Sequence, residues 1–295
     1  MSPEPIASDL QTLVPAALKI LFVFAVLMLA YAPLLGWLER KQSAVMQDRI
    51  GANRADIFGF TLAGLFHPLA DGIKVLFKED FIPEGAHRVL HGLAPLLAFV
   101  PPLILFSVIP FGDRLIIDGR PIPLVIADLD VGILFVFAIA SLATYGTVLA
   151  GWASNNNYSF LGGLRASAQM ISYEVAMGLT IVGVLLAFES IRLTEITEAQ
   201  GELLRLFRVG GVDISIPKWG IFLQPVGFFM FFLAGIAESK RIPFDLPEGE
   251  SELVAGYFLE YSGFKFLLFW LAEFIETVVL AGVVTALFFG GWQIP

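Results

Sequence analysis

Cysteine is absent from all 295 residues, and histidine appears only at positions 67, 87 and 91. A chain without thiols has no disulfide framework and no Cys-ligated iron–sulfur cluster. Three scattered histidines offer no metal-ligand spacing, so no metal site is expected. Charge is scarce too: charged residues make up 15% of the chain, against about 25% in an ordinary soluble domain. The balance is acidic, at a net −9, and no run of Lys or Arg is present. That excludes the basic stripe of a nucleic-acid-binding protein. If electrons move in the system this chain serves, another subunit carries them. What is abundant is apolar, 57% of the residues, for which a bilayer is the better solvent. No period of 20–50 residues repeats, which argues against a solenoid and against a duplicated transporter.

Crossing a hydrocarbon core of about 30 Å takes roughly 20 mostly apolar residues. Six stretches qualify, at about 16–38, 91–110, 131–151, 166–188, 219–237 and 264–290. The expected fold class is therefore all-α, a polytopic transmembrane bundle, with residues 1–295 forming one integral membrane domain. The N-terminus opens MSPEPIASD, acidic rather than basic, and the apolar run behind it is too long for a signal-peptide core. It reads as the first span. With the N-terminus outside, eleven of the 18 basic residues fall on inside segments, most of them in the first loop. The positive-inside bias thus puts that loop and the 238–265 loop on the cytoplasmic side. The loop from 189 to 218 is long and basic for an outside one.

Within the first loop, residues 58–78 (FGFTLAGLFHPLADGIKVLFK) are apolar but interrupted. His67, Asp71, Lys74 and Lys78 are spaced by four, three and four, which puts them on one helical face, and Pro68 suits a helix start. An amphipathic helix at the membrane surface fits this pattern. Such a helix would either admit a lipid-soluble ligand between itself and the spans or only seal the edge of the domain.

Acidic residues stand where lipid should exclude them: Glu174 in ISYEVAMGL, Glu238 in GIAESKR, and Glu273 with Glu276 in LAEFIET. An acid near a span centre costs roughly 2.5–3.5 kcal/mol on insertion scales. Such sites serve proton handling, or they hydrogen-bond neighbouring helices. The loop from 238 to 265 is the densest polar segment. Pro243 and Pro247 bracket Asp245, and Glu248, Glu250 and Glu252 follow within five residues. Carboxylates this close titrate as a coupled set.

The segment IPFDLPEGESELVAGYFLEYSGFKF, with GWASNNNYSFLGGLRASAQMISYEVAMGL, QDRIGANR, LADGIKVLFKEDFIP and the terminal LFFGGW, resembles the H-type membrane subunits of proton-pumping NADH:quinone oxidoreductase, respiratory complex I. Membrane-bound hydrogenases contain a related subunit. The likeness implies a subunit of the cell inner membrane that seats a peripheral redox arm and walls the membrane side of a quinone chamber. Quinone is then the substrate, while iron–sulfur clusters and flavin belong to partner subunits. By the same likeness, Glu39, Arg40, Asp71, Arg241, Asp245, Glu248, Glu250 and Glu252 border the chamber and its entrance. Glu174, Glu238 and Glu273 form a proton relay toward the other membrane-arm subunits. The sequence departs from the family at Ala52, usually proline, at Gly249, more often alanine, and at Ser141, a position acidic in some members. The family usually continues past Pro295 with two more spans and a basic inside loop, so the resemblance implies a fragment. Against this reading stand a hydrogenase-type subunit that binds no quinone, and a structural anchor whose buried acids only stabilise helix packing.

Overall fold

The structure, a computed structural model, describes residues 4–117, 119–209 and 212–293. It is mainly helical, and each of the six predicted spans falls largely on helical segments. The N-terminal rod is α1 (Glu4–Ala25), a π segment (Val26–Tyr31) and α2 (Ala32–Met46), joined without leaving the helical region. Among the described residues, four helices are long and apolar enough to cross a membrane. They are α4 (Arg88–Leu105) with the turn that extends it to Val108, α5 (Gly132–Ala153), α6 (Asn157–Phe188) and α11 (Gly263–Phe288). Two of them begin on side-chain caps, where His87 Nδ1 accepts from Leu90 N and Asn156 Oδ1 accepts from Tyr158 N. These occupy orphan donors of the first turn.

The fifth expected span is interrupted. A short α8 (Gly220–Leu223) stops at Gln224 and α9 (Pro225–Glu238) restarts beyond it. Pro225 supplies the reason, since it lacks an N–H and disfavours helical dihedrals in the residue before it. The surface helix is shorter than the 58–78 expected: α3 covers His67–Leu76, with Pro68 in its first turn, and Lys78 lies past its end. Phe58, Leu62 and Ala63 all take positive φ, which breaks the helix upstream.

The 109–131 and 189–219 loops hold two antiparallel hairpins that the span pattern did not reveal. β1 (Arg114–Ile117) pairs with β2 (Arg120–Pro123), and β3 (Leu203–Val209) pairs with β4 (Val212–Pro217). A seven-residue helix, α7 (Leu193–Ala199), precedes the second. Both hairpins lie at one end of the bundle, called here the hairpin end. The opposite, acid end carries α3, the 238–262 loop and a single-turn α10 (Glu250–Leu253).

Helices α4, α5, α6 and α9 pack in succession, and α11 closes back against α4. Over its most apolar stretch α11 is 56% buried and α6 only 17%, so α11 is the central helix and α6 lies at the periphery of the bundle. Lipid tails are as apolar as Leu, so cohesion comes from close packing rather than from escape from water. Gly146 shows this: a Cβ there would meet Ala98 N at 2.4 Å, so the α4–α5 crossing requires glycine.

Candidate functional site

Charged side chains converge at the acid end from four directions. Arg241, just past α9, reaches back to Glu39 on the N-terminal rod, with Nη1 at 3.3 Å from Oε2. Its Nη2 lies 4.0 Å from Glu273 Oε2 on α11, and its guanidinium sits 4.1 Å above the Phe274 ring. A planar, always-charged fork with an aromatic seat suits bridging two carboxylates. Tyr257 donates its hydroxyl to the other Glu273 oxygen at 2.9 Å. Burial, then the charges of Glu273 and Glu248, push that phenol well above its usual range.

The chamber candidates border this junction. Arg40 pairs with Asp71, which ties α2 to α3, and Trp37 donates to Ala63 O at 3.1 Å across the same seam. Because α2 runs on to Met46, Glu39 and Arg40 lie within the rod rather than at its end. In the loop, burial and then the charges of Glu273 and Asp245 push Glu248 up to about 8. Glu252 turns outward and pairs with Arg165 at 2.6 Å. Glu250 opens α10, and its side chain lies outside the described residues.

The relay candidates lie deeper. Glu174, midway along α6, is hydrogen-bonded to Ser141 on α5. Glu238 ends α9, 6% exposed, and its Oε2 has no hydrogen-bond partner. The charges of Glu276 and Glu174 both act on it. Glu238, Ser239 and Glu276 stand at one end of an otherwise mainly apolar cavity of about 60 Å³ that reaches Ile133 and Leu193 near the hairpin end. Glu273 belongs to both groups, since it meets Arg241 on the chamber side and stands one helical turn from Glu276. Arg241 and Glu273 thus connect Glu39 on the rod to Glu276 on α11, whereas Glu252 and Asp71 pair elsewhere.

Several participants were not singled out from sequence. Lys240 counted only as a loop cation, yet it is buried and pairs with Glu276 at 3.2 Å. Burial pushes its ammonium down, but Glu276, Glu273 and Glu238 prevail and hold it above the ordinary lysine value. Gln169 Nε2 donates to Ala237 O at 2.6 Å and to Phe244 O at 2.7 Å, tying α6 to the end of α9 and to the acid loop. His91 is fully buried, stacked on Tyr261 at 4.0 Å. Glu276, named among the span acids but not placed in the relay, joins it here as the partner of Lys240.

A family model described as NADH dehydrogenase matches residues 18–295. The chain is 48% identical over 278 residues to an H subunit of the NADH-quinone oxidoreductase of Syntrophobacter fumaroxidans, covering 94% of this chain and 77% of the relative. It is 45% identical over 275 residues to the corresponding H subunit from Rhizobium meliloti, covering 93% and 77%. To the H subunit of the NADH-quinone oxidoreductase of Thermomicrobium roseum it is 45% identical over 274 residues, covering 93% and 77%. The chain is an integral membrane protein of the NADH dehydrogenase family, related along most of its length to the H subunits of NADH-quinone oxidoreductases.

Proposed function

We propose that this chain is the membrane subunit of a proton-translocating NADH:quinone oxidoreductase in which the acid end walls the quinone chamber and couples quinone reduction to proton movement. The observation that carries this reading is Arg241, which bridges Glu39 on the first helix and Glu273 on the central one. A change of charge beside Glu39 or Glu248 acts through that bridge on Glu273, and from there on Glu276, Glu238 and Glu174. The seam between α2, α3 and α11 is the entrance for a lipid-soluble quinone, with Arg40 and Asp71 at its edge. Electrons stay on partner subunits of the peripheral arm, which bear the flavin and iron–sulfur clusters. The other membrane-arm subunits receive the proton signal, and the acid end faces the cytoplasm.

Glu174→Gln and Glu250→Gln in the assembled complex test the reading. Glu174→Gln is expected to leave quinone reduction measurable while removing most proton translocation, and Glu250→Gln to lower both. Normal translocation together with a normal reductase rate in both variants would sink the relay. Reduced assembly with unaltered turnover of the assembled complex would instead make the chain a structural anchor.

A further inference from the structure

The backbone around Lys240 is unusual for a lysine. Helix α9 ends at Ser239 in a Schellman arrangement: Lys240 N donates to Ala237 O and Arg241 N to Ile236 O, both at 3.3 Å. Lys240 sits in the left-handed position of that motif, at φ 56. Glycine is the ordinary occupant there, because a Cβ makes the conformation costly. A surface lysine would gain nothing from the strain. Here the turn sends the side chain inward, leaving it 4% exposed with Nζ 3.2 Å from Glu276 Oε2. The groups acting on it come from every neighbouring element. They are Glu238 on α9, with Oε2 unpartnered, Glu273 and Glu276 on α11, Glu248 in the acid loop, and Glu174 on α6 through Glu238.

We propose that Lys240 is a proton-carrying member of the buried carboxylate row, an ammonium that releases and recovers a proton as the glutamates around it change charge. The inference rests on the relay reading above and adds a basic residue to it. In the forward step the proton leaves Nζ for Glu276 Oε2, giving a neutral amine beside a neutral acid. The amine then takes a proton from the Glu238 side and the ammonium is restored, so nothing is consumed. Charge balance drives the exchange. While the neighbouring glutamates are ionised they hold the proton on Nζ, and once they are neutralised burial favours the free amine. Lysine suits the role because its ammonium yields a proton when its surroundings change, whereas a guanidinium does not.

Lys240→Arg and the double variant Lys240→Gln/Glu276→Gln, each in the whole complex in sealed vesicles, test the proposal. Protons translocated per NADH oxidised are measured beside the rate of quinone reduction. Arginine keeps the charge and the ion pair but cannot release its proton, so translocation is expected to fall at least tenfold while assembly holds. The double variant removes both charges together, which is near neutral for a purely structural pair, and it too is expected to assemble and not translocate. Normal translocation in either variant would overturn the proposal. So would failure of both to assemble, which would assign the pair to packing alone. Glu174→Gln separates this outcome from failure of the relay itself. If it translocates normally the relay falls, and if it blocks while Lys240→Arg works, only the role of Lys240 falls.

Discussion

Two buried glutamines mark the two ends of the bundle, and their hydrogen bonds differ. At the hairpin end Gln200 uses its whole amide: Nε2 donates to Ile196 O at 3.2 Å and Ala286 O at 2.7 Å, and Oε1 accepts from Gly220 N and Gly290 N at 3.0 Å each. At the acid end Gln169 also donates twice, but its Oε1 is buried and unpartnered. The charges divide in the same way. Arg192 serves Asp128, Asp130 and Glu195 near the surface, and its guanidinium holds the Asp128 carboxyl below its ordinary value. Glu238, Lys240 and Glu273 are buried together. A fully satisfied polar network fixes one structure, whereas a partly satisfied one leaves room for a second arrangement. The Gln200 amide therefore reads as a fully satisfied clamp, and the Gln169–Glu238 region as the less satisfied of the two.

Gln200→Leu is the strongest way to break the comparison. It strips the partner from Gly220 N and from Gly290 N, and each unsatisfied group costs about 1–3 kcal/mol. Thermal unfolding of the complex should show a loss of about 3 kcal/mol or more. The proton-to-electron ratio of what remains assembled should be unaltered. A changed ratio at normal stability would make the hairpin end part of the coupling machinery.

Next in size is a pH effect confined to the acid end. Between the ordinary carboxyl value of 4.5 and about 8, the folded chain holds a proton on Glu248 that the unfolded chain has released. The folded state then binds more protons, so stability falls as pH rises through that window and is fully present below it. Melting midpoints of the complex across the window should drop with rising pH, and Glu248→Gln should flatten the slope. An equally steep slope in the variant would place the titration elsewhere.

Arg192→Ala is expected to have the smallest effect, a minor drop in melting midpoint and no change in turnover or coupling. Its partners are solvent-accessible and its interactions screened. A loss of coupling would remove the distinction between the two ends.

The membrane architecture was legible because apolar length is a strong signal. Every expected span is helical, and even the break at Pro225 follows from a residue in plain view. The first hairpin was not legible, because RLII and RPIP are too short to show alternation, whereas the second had a readable signal that the search for spans passed over, the alternating VDISI after Gly210 and Gly211. The 189–218 loop looked too basic for its side, and part of the reason is now visible, since Arg192 and Lys218 are matched by Asp128 and Glu202. At the candidate site the acids stood out by their cost in lipid. Lys240 did not, since its inward direction depends on one left-handed residue at a helix end. Gln169 and Tyr257 were silent for a similar reason, because an amide or a phenol in an apolar run carries no cost that identifies its partner.

The most direct measurement is the number of protons translocated per NADH oxidised by the complex in sealed vesicles, comparing Glu174→Gln with Gln200→Leu. A collapsed ratio in the first and an unaltered ratio in the second, at whatever amount assembles, is the predicted result. An unaltered ratio in Glu174→Gln would contradict the claim that the buried acid row couples quinone reduction to proton movement.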